Sequence, residues 1–325
     1  MPATSTERPD HDRGRAGYTR FCWTVLAFNL FVIVWGALVR ASGSGAGCGS
    51  HWPLCNGEVV PRSPAFETVI ELSHRLTSGL ALILVIAMVL LAWRRFPRRH
   101  LVRRAAATSL VLILMEALIG AGLVLLEYVA DDTSAARGYW VGGHLINTFL
   151  LVASLSLTAW WAGGHPGPSL RGHPTRIPAV LGVAALAVLA LSTSGAITAL
   201  GDTLFPVQTF AEGKRLTFAA DAHIFVRLRI WHPTMAIAVG MILSLAAYLT
   251  TRSSGDRTVR RWARWMVGLY AAQLALGLLN MWLLAPIALQ LAHLLLADLI
   301  WIALVLMAAS ALSAPTEAPA TGRQS

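Results

Sequence analysis

Ten histidines are spread along the 325-residue chain, and four of them fall inside long apolar runs: His74, His144, His232 and His293. An ionisable ring is costly in hydrocarbon, so each asks for a chemical reason. The spacing repeats: His74 and His232 are 158 residues apart, His144 and His293 are 149 apart. Two imidazoles facing each other across a bundle of helices are a common way to hold a six-coordinate haem iron. Gly142 and Gly143 before His144, and Gly79 after His74, remove side chains where a flat macrocycle would pass. The plain alternative is a packed, hydrogen-bonded core histidine at each position, and four matched positions in a repeated frame argue against it. Zinc fits less well, because neither pair has a further soft ligand nearby. His223, nine residues before His232, falls on the opposite helix face and reads as a loop or interface residue.

Glu71 precedes His74 by one helical turn, so the two share a face. A carboxylate there is placed for proton transfer at the edge of a bound macrocycle. Arg75 is placed to meet a haem propionate or to snorkel to the interface. The corresponding later segment, Arg229-Ile230-Trp231-His232-Pro233, has no acid at that offset. One histidine pair thus carries a carboxylate and the other does not, which suits one reactive haem and one redox cofactor. Glu116 and Asp298 also fall in apolar runs and read as interhelical hydrogen-bonding groups, Asp298 pointing largely away from the ligand face of His293.

Cys48 and Cys55 stand seven residues apart in a glycine-rich segment, and read as a disulfide on the oxidising side of a membrane. The glycines around them do not fit a dinucleotide fingerprint. The absence of Cys-x-x-Cys-His from the sequence excludes covalent c-type haem. Cys22 reads as a free thiol.

These residues need elements to hold them, and composition says which. The chain is 56 % hydrophobic and only 13 % charged, a membrane composition. Its net charge of +10 sits in short arginine clusters between apolar runs, which is a topology signal and not a nucleic-acid surface. Runs long enough to span a bilayer lie at about 20–39, 69–93, 105–127, 139–162, 177–199, 224–250, 262–284 and 288–311. The expected fold is an all-α integral membrane protein of eight transmembrane helices, arranged as two tandem pseudo-symmetric four-helix bundles. Residues 20–164 form the first half and 165–312 the second, with an N-terminal segment at 1–19 and a disordered tail at 313–325. Arginines before span 1 and between spans 2 and 3 and spans 6 and 7 put both termini in the cytoplasm. The loops at 40–68 and 200–223 then face outward, and all four histidines lie in the outer part of the membrane. Residues 1–17 look like no cleavable signal peptide, so the first run reads as a retained helix.

The run Gly36-Ala37-Leu38-Val39-Arg40-Ala41-Ser42-Gly43-Ser44-Gly45, then Trp52-Pro53-Leu54-Cys55-Asn56-Gly57, then Glu71-x-x-His74-Arg75, resembles the haem A synthase family over residues 20 to 311. The resemblance implies conversion of haem O to haem A by successive hydroxylation of one porphyrin methyl group to a formyl, for use in terminal oxidases of the cell membrane. It implies a substrate haem on His74 and His144, haem b on His232 and His293, Glu71 as the essential acid, and a Cys48–Cys55 pair in electron transfer or haem handover. Partners would be the enzyme that supplies haem O, oxidase assembly factors and the lipid bilayer, with a homo-oligomer left open. Two rivals keep the four histidines without porphyrin chemistry: a dihaem b-type electron carrier and a haem exporter or chaperone.

Overall fold

The computed structural model describes residues 8–169 and 174–313. The described residues are helical throughout, with no strand. Two isolated bridges pair Cys55 with Glu58 and Pro168 with Ser313. The helices are α1 (Arg8–Ala41), α2 (Phe66–Arg95), α3 (Leu101–Leu125), α4 (Ala135–Ala162), α5 (Arg176–Leu204), α6 (Phe210–Thr217), α7 (Ile224–Ser253), α8 (Arg257–Trp282) and α9 (Ile287–Ala311). The N-terminal segment before Arg8, His173 and the expected tail beyond Ser313 lie outside the described residues.

Seven of these helices are long and apolar enough to cross a membrane: α1, α2, α3, α4, α5, α7 and α9. The chain is a multi-pass membrane protein. The eighth expected span, α8, has the length, but Gln273 and Asn280 dilute its apolar stretch and four arginines crowd its first two turns. The short α6 inside the loop at 200–223 was not expected; Thr209 caps it by accepting from the Glu212 amide at 3.1 Å.

Backbone groups in hydrocarbon must be satisfied internally, so apolar runs of this length become helices. Their ends are marked by local chemistry. Ser134 caps α4 by accepting from the Arg137 amide, and Asp256 caps α8 by accepting from Thr258. Within α7, Pro233 follows His232 and removes one backbone donor beside that ring.

α1 packs on α2 and α4, and α3 packs on the same two helices. In the later part α5 packs on α7 and α9, and α8 again on the same two. α1, α4, α5 and α9 meet along a seam. α4 and α9 are the innermost, with 61 % and 56 % of their most apolar stretches buried. At their contact Trp301 donates to the Phe149 carbonyl at 2.7 Å and their rings lie 5.5 Å apart. The outer faces carry Leu76, Leu80, Ile83, Ile237, Met241 and Leu245, all exposed. That is a surface suited to lipid tails. Near one end of the seam Arg40 of α1 donates to Ala199 O at 2.8 Å, to Thr203 Oγ1 at 2.9 Å and to Gln290 Oε1 at 2.9 Å, so one half-buried guanidinium ties α1 to α5 and α9.

Candidate haem-binding site

Each of the four histidines stands on one helix and is faced by a glycine of a neighbour. A Cβ at Gly36 of α1 would lie 2.9 Å from Cε1 of His74, and one at Gly195 of α5 would lie 2.8 Å from Cε1 of His232. At Gly277 of α8 it would lie 3.1 Å from Cε1 of His293, and at Gly120 of α3 4.0 Å from Cε1 of His144. A methyl group at Gly36 or Gly195 would force the facing ring to shift, and one at Gly277 would press on its ring by a few tenths of an ångström. Gly36 and Gly195 are 159 residues apart and Gly120 and Gly277 157, nearly the 158-residue interval between His74 and His232. The glycines singled out from sequence behave differently. Gly142 packs against Thr193 Cγ2 of α5, where a Cβ would come within 3.0 Å, so it serves close helix contact and not the ring. Gly79 and Gly143 border open space.

The structure brings His232 and His293 together with ring centroids 6.5 Å apart, inclined at 73°. Metal–imidazole bonds of about 2 Å on either side of one ion place the two centroids roughly 6 Å apart. The pair therefore fits one six-coordinate iron. Nδ1 of His232 lies 2.9 Å from Ser194 Oγ, which leaves Nε2 as the ligating atom. In the earlier helices His74 stands on α2 and His144 on α4, and Nδ1 of each is buried without a hydrogen-bond partner.

Glu71 is only 3 % exposed and is held on three sides. Its Oε2 accepts from the Cys48 amide at 2.8 Å, while Oε1 accepts from Nε of Arg75 at 3.1 Å and pairs with Nη2 of the same residue. Arg75 also donates to the His51 and Leu54 carbonyls, each at 2.7 Å. With four N–H contacts made within the protein, the guanidinium is a loop clamp first, and has little donor capacity left for a propionate. Cys48 and Cys55 are disulfide-bonded, both fully buried. Their loop sits on the start of α2, where Thr68 Oγ1 donates to Gly47 O at 2.7 Å and a Cβ at Gly47 would strike the Glu67 backbone at 2.5 Å. Acid, arginine and disulfide are one docked unit.

At the offset of Glu71 the later histidine has Arg229. Its Nε donates to Asp202 at 2.7 Å and Nη2 to Phe205 O at 2.8 Å, and Nη1 is buried without a partner. The remaining residues sort as follows. His223 caps α7 by accepting from the Phe225 amide and lies against the Phe205 ring. Cys22 is a buried free thiol. Glu116 does bridge helices, accepting from Asn147 and Thr148 of α4, and it also lies 3.1 Å from Nδ1 of His144. Asp298 departs from expectation: it is fully buried and neither oxygen has a hydrogen-bond partner, because the α9 face it occupies is packed with apolar side chains.

A model of the COX15-CtaA cytochrome oxidase assembly proteins matches residues 19–305. The chain belongs to that family. It is 47 % identical over 297 residues to a Thermus thermophilus protein named protoheme IX farnesyltransferase, which covers 91 % of this chain and 48 % of that protein. A protein of Alkalihalophilus pseudofirmus named heme A synthase is 44 % identical over 96 residues, 30 % of this chain and 32 % of that protein. One of Bacillus cereus with the same name is 49 % identical over 96 residues, 30 % of this chain and 31 % of that protein. The chain thus spans about half the length of its long Thermus relative.

Proposed function

We propose that this protein is a haem A synthase, which oxidises a porphyrin methyl group of haem O to a formyl group. The observation that carries the reading is the inequality of the two histidine sets. Glu71 sits one turn before His74, buried and hydrogen-bonded, and Arg229 takes that place before His232. An electron carrier has no use for an acid one turn before the histidine on one side and an ion-paired arginine in that place on the other. In this reading α8 is an eighth crossing, the two sets of four helices are tandem bundles, and the loops at 40–68 and 200–223 face outward. The substrate lies between His74 and His144, and a resident haem b between His232 and His293. Haem b supplies one-electron chemistry when bound.

The chain's own residues do the rest. The four imidazoles hold and orient the macrocycles, and the facing glycines let them lie close. Glu71 handles a proton at the macrocycle edge, its position fixed by the Cys48 amide and Arg75. Arg229 offers its unpartnered Nη1 to a carboxylate beside His232. The name of the Thermus relative, which refers to farnesyl transfer onto protohaem, supports a farnesylated haem as the molecule handled here and an enzyme making it as the functional neighbour.

The test is mass analysis of haem extracted from protein made together with a haem O supply. A formyl-bearing product that disappears in Glu71→Ala while haem stays bound supports the synthase. Haem b alone under all conditions overturns it in favour of an electron carrier, and porphyrin released unchanged favours a haem carrier.

A further inference from the structure

The four imidazoles differ in what meets Nδ1. In His74, His144 and His293 that atom is buried without a hydrogen-bond partner, and in His232 it meets the neutral hydroxyl of Ser194. Among the described residues only His144 meets a charged group, with Oε1 of Glu116 3.1 Å away. The carboxylate is aimed from α4 itself, by Asn147 and Thr148 one turn beyond the ring. Asn147 is anchored in turn by donating to Leu112 O at 2.9 Å, and the Thr148 hydroxyl lies 2.9 Å from His144 O. The contact stands at ion-pair distance with the N–H off the hydrogen-bond line.

Position along the facing helix sharpens the contrast. Glu116 precedes Gly120 by one turn, and Gln273 precedes Gly277 by the same interval. Gln273 is neutral and directs its amide to the His293 carbonyl at 3.0 Å. The same place in the repeat is an acid on one side and an amide on the other.

We propose that Glu116 is a positioning residue acting through His144: it holds the proton on Nδ1, presents Nε2 to iron, and makes this ligand the most electron-donating of the four. A carboxylate accepting from the outer nitrogen of a ligating histidine fixes its tautomer and raises its basicity. A more basic axial ligand favours the oxidised iron. The iron held by His144 therefore has the lower reduction potential of the two. The inference rests on the haem reading above.

The experiment is a spectroelectrochemical titration of the haem-loaded protein, with low-temperature electron paramagnetic resonance on the same samples. His144→Ala identifies which signal belongs to this ligand; loss of no haem in that variant would overturn the haem reading itself. Glu116→Gln is expected to keep both haems and to raise the potential of the His144 signal alone. The expected size is a tenfold or larger change in the reduced-to-oxidised ratio at fixed potential, 59 mV for one electron. Gln273→Glu should lower the other signal. If Glu116→Gln does not accumulate, Thr148→Val, which loosens the carboxylate, must move the His144 signal and leave the other. Unmoved potentials, or equal shifts on both haems, overturn the proposal even when haem binding through His144 stands.

Discussion

The two histidine sets share a scaffold and differ in charge. In each, a ring on one helix faces a glycine on a neighbour, and the glycines repeat at 159 and 157 residues, close to the 158 between His74 and His232. Around the early pair stand Glu71, clamped by Arg75 and the cysteine loop, and Glu116 against His144. Around the later pair stand Arg229 with its ion-paired Asp202, and the neutral Ser194 and Gln273. On the proposed reading the repeated frame holds one macrocycle in each set, and what each is asked to do is written in the few side chains that break the repeat.

The largest effect expected from breaking this contrast is on chemistry. Glu71→Ala should lower formyl product by about a hundredfold or more, the usual worth of a positioned proton-transfer group. Extracted haem would be weighed by mass spectrometry, and substantial product from that variant would dismiss Glu71 as the acid. Next come the facing glycines. Gly36→Ala and Gly195→Ala each crowd one ring, so each should weaken one haem by about tenfold, the lower range for disturbing a ligand's support. Gly120→Ala, with its Cβ in ordinary contact with His144, should be tolerated. Haem content by absorbance separates the three, and equal losses in all would remove the cradle argument.

A smaller effect belongs to the cysteine loop, which has no counterpart near His232. Replacing Cys48 and Cys55 together by serine should cost about 2–3 kcal/mol by closing-loop entropy. In a thermal scan the haem on His74 should be lost before the one on His232; simultaneous loss would show the loop is not specific to one site. The smallest expected effect lies at the seam between the sets. Trp301→Phe removes one buried hydrogen bond, worth about 1 kcal/mol, and should shift the melting midpoint without altering either haem spectrum.

Much of this was legible in the sequence, for physical reasons. Hydrocarbon tolerates few ionisable rings, so His74, His144, His232 and His293 stood out against their runs, and Cys48 with Cys55 in a turn-rich loop read as a bond. Seven of the eight spans follow from length and apolarity alone. What faces what depends on the rotation of each helix against its neighbours, and apolar runs do not encode that. Gly142 was therefore assigned to the macrocycle when it serves the α5 contact, and Gly36, Gly120, Gly195 and Gly277 went unnoticed. Their near-equal intervals were the available signal. Glu116 was rightly read as a bridge between helices, yet its proximity to His144 needs the α3–α4 register, which only packing sets.

Arg40 has a consequence for the order of synthesis. Its guanidinium sits in the seam with acceptors on α5 and, through Gln290, on α9, which is made 250 residues later. Until that segment enters the bilayer, α1 carries a cation short of one partner, a state that hydrocarbon strongly disfavours. α1 can settle only when α9 arrives. Chains stalled or clipped before residue 290 would carry a built-in mark of incompleteness on α1, open to membrane proteases, whereas chains that include α9 would conceal it.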